Sequence, residues 1–268
     1  MNIDLLVDIP RLRTMSTTLR RWIIERAHAS NVGHIGSALS IVEVLSVLWG
    51  KILRNAGTAV PDRDRFILSK GHASLALYAA MRYVGVLDER IFNTYCADGS
   101  HLGVHPDHGL PGIDLSAGSL GQGLSVGCGL SYGLRRTSAR VDVLLSDAEL
   151  NEGQVWEAAM FAGHHRLGNL TAIVDINGMQ ALGPTRKILD LHSLAEQWAG
   201  FGWLATNVDG HDVEALLAAL NRSHDPRPHL VLAYTTNGKG VSFMENQLSW
   251  HYANLSAELC HQALAELR

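Results

Sequence analysis

Two polar residues thirty positions apart carry the clearest chemistry in the chain. Asp147 follows the apolar run VDVLLS at 141–146, and Asn177 follows LTAIVD at 170–175. That separation is about one strand–helix–strand unit, so the two side chains come from successive parallel strands at one edge of a sheet. A carboxylate oxygen, an amide oxygen and a backbone carbonyl are hard ligands that suit Mg2+, an ion that fills its remaining positions with water and phosphate oxygens. Ala148 and Glu149 open the turn into the next helix, where free backbone N–H groups receive phosphate. The same residues also suit a plain helix entry at Asp147 and an ordinary turn at Asn177-Gly178. Histidine supplies proton transfer near neutral pH, and the chain has 14 of them. His101, His105 and His108 cluster closely enough to suggest zinc, but no Cys or carboxylate stands at a familiar ligand spacing. His164, His165, His192, His224 and His229 have no motif around them and read as surface residues.

The elements that must hold these residues follow from periodicity. Residues 11–29 and 38–53 read as helices, the second apolar on most faces and so buried. Residues 64–69 read as a short strand running into Gly71-His72, with a helix over 73–84. Strands at 141–146, 170–175, 203–208 and 230–235 alternate with helices at 152–163, 191–200 and 213–221, the last capped by Asp212. A helical tail ends the chain. This alternation predicts an α/β fold: a parallel sheet with helices on both faces. Ligands in such sheets bind outside the carboxyl ends of the strands, where Gly71-His72, Asp147 and Glu149, and 175–178 all lie.

Composition excludes several classes. The 268 residues are 47% hydrophobic and 18% charged, which is globular rather than disordered. The net charge of −4, with no Lys/Arg run, argues against nucleic acid. Three cysteines without a C-x-x-C point to a reducing compartment. Asp4 and Asp8 stand where a signal peptide would be basic and apolar. Residues 115–134 carry no charge, but six glycines, four serines and a glutamine make a tightly packed helix a better reading than a membrane span. Gly123/Gly127 and Gly129/Gly133 fall four apart on that helix, which lets backbones approach closely at a subunit interface or within the chain.

The stretch SDAELNEGQVWEAA…IVDINGMQ resembles the thiamine diphosphate motif of the transketolase family, which begins Gly-Asp-Gly and ends about thirty residues later at an Asn. Four more segments match in order: GHIGSALS at 33–40, DRFILSKGHAS at 64–74, HPD at 105–107 with SAGSLGQGLS at 116–125, and NGKGVSFMENQLSWH at 237–251. The likeness covers nearly the whole chain. It implies a single diphosphate-binding (PP) domain over residues 1–268, the thiamine diphosphate-binding fold.

Carried over residue by residue, the resemblance implies Asp147, Asn177 and the Met179 carbonyl as metal ligands. It implies His72, Gly118, Leu120, Ala148 and Glu152 at the cofactor, with Gly118 and Leu120 using their backbone and Glu152 linking cofactor sites across the subunit interface. His34, His105 and His251 match catalytic histidines of the substrate channel. Ser146 and Ala148 replace both motif glycines, and Ile35 stands where a proline is common.

The expected activity is transfer of a two-carbon ketol unit between sugar-like substrates, dependent on thiamine diphosphate and Mg2+. No segment resembles the family's pyrimidine-binding domain, so the expected partner is a separate chain carrying it, in a cytoplasmic α2β2 assembly with no nucleic acid or membrane. Alternatives are a specialised biosynthetic acyl- or ketol-transfer enzyme on the same scaffold, the α subunit of a 2-oxo acid dehydrogenase, which lacks GHIGS and SKGHAS, and a non-catalytic subunit, which would have lost the metal ligands.

Overall fold

The computed structural model describes residues 3–221 and 225–267. Helix α1 (Ile3–Ser30) opens the chain, followed by α2 (Ile35–Ser40) and α3 (Val42–Val47), which runs into a π-helical turn at Leu48–Ile52. Strand β1 (Arg65–Leu68) leads through a 3-10 turn at Gly71–Ala73 into α4 (Ser74–Tyr83), then α5 (Glu89–Phe92) and, after a long loop, α6 (Gln122–Leu134). Next come β2 (Val141–Ser146), a 3-10 turn at Asp147–Asn151, α7 (Gly153–His164) and β3 (Leu170–Ile176). A minimal hairpin, β4 (Met179–Gln180) and β5 (Gly183–Pro184), precedes α8 (Thr185–Ile188), α9 (Leu194–Gly200), β6 (Leu204–Asp209), α10 (Val213–Leu220), β7 (His229–Tyr234) and α11 (Ala257–Glu266).

The five main strands form one parallel sheet in the order β1-β2-β3-β7-β6. Successive side chains leave a strand on opposite faces. Phe66, Leu68, Leu144, Ile173, Val231 and Ala233 therefore pack on one side with α1, α2, α3, α4, α10 and α11. Ile67, Val143, Leu145, Ala172, Val174 and Leu232 pack on the other with α6, α7 and α9. The three central strands are buried on both faces, which is why they read as continuous apolar runs. Asp212 caps α10 as expected, accepting from the N–H groups of Glu214 at 2.9 Å and Ala215 at 3.2 Å.

Four expectations change. The helix read over 11–29 begins earlier, at Ile3, and carries Pro10 within it. The helix read over 38–53 starts earlier and is broken: Ile41, at φ −104°, separates α2 from α3. The helix read within 115–134 begins only at Gln122, with Gly121 at φ +84° before it. His229 is buried rather than on the surface, its Nε2 2.9 Å from the Thr206 hydroxyl on the adjacent strand. His164, His165 and His192 are exposed as expected, and His224 lies outside the described residues. Among the described residues, no helix is long and apolar enough to cross a membrane.

The glycine pairs of α6 divide by face. A Cβ on Gly123 would stand 2.3 Å from the Ser69 hydroxyl, and one on Gly127 2.5 Å from Val143 Cγ2, so this pair serves close packing of α6 on the sheet. Gly129 and Gly133 meet nothing within 4 Å. Gly123→Ala should therefore lower the unfolding free energy by about 1–3 kcal/mol through overpacking. Gly129→Ala should raise stability by about 0.4–1 kcal/mol through helix preference. Thermal denaturation of the two variants checks this, and equal shifts would refute the division.

Candidate active site

A buried ion pair anchors the carboxyl edge of the sheet. Lys70, just past β1, places Nζ 2.5 Å from Asp175 Oδ2 near the end of β3, and both side chains are fully buried. Ser40 of α2 and the Asn177 amide each donate to the same oxygen at 2.8 Å, and Thr235 donates to Oδ1. Lys70 also reaches the Ser37 carbonyl at 3.2 Å. The hydrogen bond to Asp175 fixes which way the Asn177 amide faces, and Asn177 Oδ1 accepts from Met179 N at 2.9 Å.

Asp147 stands one strand over. Its Oδ2 accepts from Gly178 N at 3.0 Å and from the Thr185 hydroxyl at 2.8 Å. Its Oδ1 is buried with no hydrogen-bond partner. Burial, then the nearby Asp175 charge, pushes this carboxyl up to about 6. A buried carboxylate oxygen without a donor is costly unless a cation meets it. The orphaned oxygen, the fixed Asn177 amide and the backbone beside it are a hard oxygen set of the kind Mg2+ takes, so the residues present fit that ion. Among the described residues, no group of three His, Cys, Asp or Glu side chains could hold a metal, which leaves His101, His105 and His108 without a zinc site.

A cleft of about 210 Å3 opens beside this centre. Its lining brings together His34, His72, His105, Gly118, Leu120, Ala148, Asn177, Met179 and His251, nearly all the residues expected from sequence. Glu152 is exposed at the start of α7 and does not line it, and Asp147 lies behind the Asn177 wall, on an adjoining cavity. Ser37, Ser146, Gln180, Ala181, Asn237 and Tyr252 also line the cleft and were not expected. Ser37 and Asn237 belong to the matched segments, and that membership was their available signal.

The histidines form one cluster. The His34 ring centroid is 5.4 Å from His72, 5.0 Å from His251 and 5.4 Å from Tyr252. His34 sits at φ +61°, its N–H donates to the His251 carbonyl at 2.9 Å, and its Nδ1 is buried without a partner. A left-handed backbone at a non-glycine residue costs energy that such a site must repay. Gly33 beside it lets the chain at Tyr252 approach closely: a Cβ there would stand 2.7 Å from the Tyr252 carbonyl oxygen. His72 Nε2 is 2.8 Å from the Ser37 hydroxyl. Burial holds His72 well below its ordinary value and lowers His251, with Lys70 adding to both. Burial, then His251, His105 and Lys70, lowers His34 to about 4.

The replaced motif glycines find local explanations. Ser146 is the N-cap of the 3-10 turn: its hydroxyl accepts from Glu149 N at 3.3 Å, and Glu149 Oε2 accepts from Ser146 N at 2.8 Å, a reciprocal capping box. Neither Ser146 nor Ala148 has positive φ, so a Cβ at either position is unstrained.

An all-parallel sheet with a polar cleft at its carboxyl edge defines an α/β ligand-binding domain. The family model described as "Transketolase, thiamine diphosphate binding domain" matches residues 12–267, and the chain belongs to that family. It is 36% identical to a subunit of an apulose-4-phosphate transketolase of Phocaeicola vulgatus, over 97% of this chain and 95% of that protein. It is 38% identical to a subunit of a 6-deoxy-6-sulfo-D-fructose transketolase of a Clostridium species, over 96% of each. Its fold matches a transketolase of Leishmania mexicana with TM-score 0.87 at 24% identity, covering 96% of this chain and 41% of that one. The chain thus spans about two fifths of that solved transketolase.

Two outcomes follow from the site. Lys70→Met leaves Asp175 as a buried carboxylate without its cation and should cost about 3–5 kcal/mol in urea unfolding; a loss under about 1 kcal/mol would show that the pair organises nothing. The second concerns pH. His34 falls on folding from its ordinary 6.5 to about 4, so the unfolded chain binds more protons between those values. Its contribution to stability is complete above pH 6.5 and is lost as pH falls toward 4, with His72 and His251 acting in the same direction. In an NMR titration the His34 imidazole should stay neutral at pH 5.5, and protonation near 6.5 would contradict the assignment.

Proposed function

We propose that this chain is the diphosphate-binding subunit, one domain over its length, of a thiamine diphosphate- and Mg2+-dependent enzyme that transfers a two-carbon ketol unit between sugar-like substrates. The observation that carries the reading is the orphaned Asp147 Oδ1 beside the oriented Asn177 amide, at the edge of a cleft walled by His34, His72, His105 and His251. In this reading, Asp147 and Asn177 with the Met179 carbonyl hold the ion. The Ala148 N–H and the His72 ring take the diphosphate, and Gly118 and Leu120 offer backbone groups to the aminopyrimidine. Glu152, exposed at the start of α7, reaches toward the neighbouring subunit. When bound, thiamine diphosphate supplies the carbanion chemistry of ketol transfer.

What the chain's own residues do follows from their placement. His34, His105 and His251 exchange protons with substrate hydroxyls in the cleft. Burial keeps His34 and His251 uncharged near neutrality, so each presents a free ring nitrogen as a base. The Ser37 hydroxyl orients the His72 ring.

The pyrimidine-binding half is supplied by a second chain, in an α2β2 assembly. Two relatives of matching length, both named as subunits, support this. We place the assembly in the cytoplasm, a reading supported by Cys96, Cys128 and Cys260, none of which is paired. A specialised ketol transfer on the same scaffold is the second reading, favoured by the different sugars for which the two relatives are named.

The deciding experiment is reconstitution. The purified chain, with its second chain, should bind thiamine diphosphate in calorimetry only when Mg2+ is present and should then transfer a ketol unit. Asp147→Ala should abolish that binding, since the ion loses its charged protein ligand. Wild-type affinity in the variant would remove the metal assignment, and full ketol transfer by the lone chain would remove the split-enzyme reading.

A further inference from the structure

Away from the cleft, three side chains from three elements converge under one of its walls. Arg20 of α1 and Glu43 of α3 are both buried, 8% and 6% exposed. The Glu43 carboxylate accepts from both Arg20 Nη atoms, the Nη2 contact at 2.7 Å, and its Oε2 also lies 3.0 Å from Nδ1 of His211, in the turn between β6 and α10. Burial opposes the Glu43 charge, and the His211 and Arg20 contacts outweigh it, so the carboxyl is held below its ordinary range. None of the three lines the cleft.

Both ends of this network terminate on the loop after β7. His211 Nε2 is 2.8 Å from Thr236 N, whose hydrogen it accepts. Since Nε2 accepts, Nδ1 carries the ring proton and donates it to Glu43. Arg20 Nε donates to the Lys239 carbonyl at 3.0 Å. Between those two anchors stands Asn237, 3% exposed and part of the cleft wall. The loop has no regular structure to satisfy its backbone and turns through Gly238 at φ +77° and Gly240 at φ +95°. Its fit against α2 is close. Gly238 N donates to the Gly36 carbonyl at 3.0 Å, and a Cβ on Gly36 would stand 2.7 Å from Asn237 Nδ2. A loop so closely packed, with buried backbone groups, needs its partners in place.

We infer that Arg20, Glu43 and His211 are positioning residues that fix the 235–240 loop and so set the Asn237 wall of the cleft. The network fixes the loop whatever the cleft binds; its effect on cofactor affinity rests on the function proposed above.

The test separates the two faces of the His211 ring. His211→Asn keeps an amide N–H near the Nδ1 position for Glu43 but offers nothing to Thr236. His211→Gln places an amide oxygen near the Nε2 position and keeps that acceptor. Hydrogen exchange followed by mass spectrometry on the full chain should show the 235–240 peptide exchanging roughly tenfold faster in His211→Asn and within about threefold of wild type in His211→Gln. Amides of β7 at 230–233 should not change in either. With the second chain and Mg2+ present, His211→Asn should weaken thiamine diphosphate binding roughly tenfold while turnover at saturating cofactor persists. A role in general stability would loosen β7 as well and would not distinguish the two variants. Equal loop exchange in both variants overturns the inference. If His211→Asn unfolds, Arg20→Lys keeps a cation for Glu43, deletes the Nε donor to Lys239, and must loosen the same peptide; an unchanged peptide overturns the inference by that route. If wild type fails to bind thiamine diphosphate, the proposed function falls, and the exchange result still decides the network.

Discussion

The Lys70–Asp175 pair is the constraint on which the rest of the site depends. Two opposite charges 2.5 Å apart, both without solvent, must be satisfied on every side or they destabilise the fold. Ser40, Thr235 and Asn177 supply the remaining donors to Asp175, and the Ser37 carbonyl accepts a hydrogen bond from Lys70 Nζ. Those partners come from α2, from the loop after β7 and from the end of β3, so one buried charge ties three segments to the end of β1. Such a pair adds little net stability over an apolar replacement, and its value lies in specifying one arrangement. Here the arrangement specified is the site itself: His72 lies two residues beyond Lys70, Asn177 two beyond Asp175, and Ser37 one turn before Ser40.

Glu149 has the corresponding role in the turn after the neighbouring strand β2. Its buried carboxylate accepts from the Ser69 hydroxyl, Ser146 N at 2.8 Å and Gly121 N at 2.8 Å, joining the ends of β1 and β2 to the loop before α6. Burial still raises this carboxyl above its ordinary value, so those donors offset the desolvation incompletely. That loop carries Gly118 and Leu120, which is how two residues far from Ala148 in sequence reach the same cleft. The serine at position 146 completes the cap on Glu149, an interaction a glycine could not make. The departure from the family motif is therefore compensated within the turn that bears it.

The alternation of strands and helices, the parallel sheet and the strand-end placement of Asp147 and Asn177 were legible from apolar runs, because β2, β3 and β7 are buried on both faces and leave little polar signal to confuse the reading. The breaks were not. Ile41 interrupts an apolar stretch at a point with no Gly or Pro beside it, since the reason for the break is tertiary: Ser37 and Ser40 must reach His72 and Asp175. His229 looked like a surface histidine because its partner Thr206 lies on a neighbouring strand, paired only by the fold. The Arg20–Glu43–His211 network was invisible for the same reason, as its members stand up to 191 positions apart. The cleft residues were found through ordered segments rather than through spacing, which by itself left Asp147 and Asn177 open to plain turn readings.

The cleft is built from one side. Its floor, with Asn177, Asn237 and Ser37, is buried and polar, and Asn177 and Ser37 are held by the ion pair beneath them. Its mouth is not: Tyr252 is 63% exposed, and Leu182, next to the lining residue Ala181, is 82% exposed. Single exposed apolar residues are ordinary on protein surfaces, but apolar residues beside a polar cleft are out of place unless something covers them. The proton transfers proposed for His34, His105 and His251 would require water to be kept from the reacting atoms, and a cleft with an exposed mouth does not keep it out. A floor fixed by buried charges and a mouth with exposed apolar side chains are therefore complementary halves of one requirement. This supports the reading in which the second chain both completes the cofactor site and closes it.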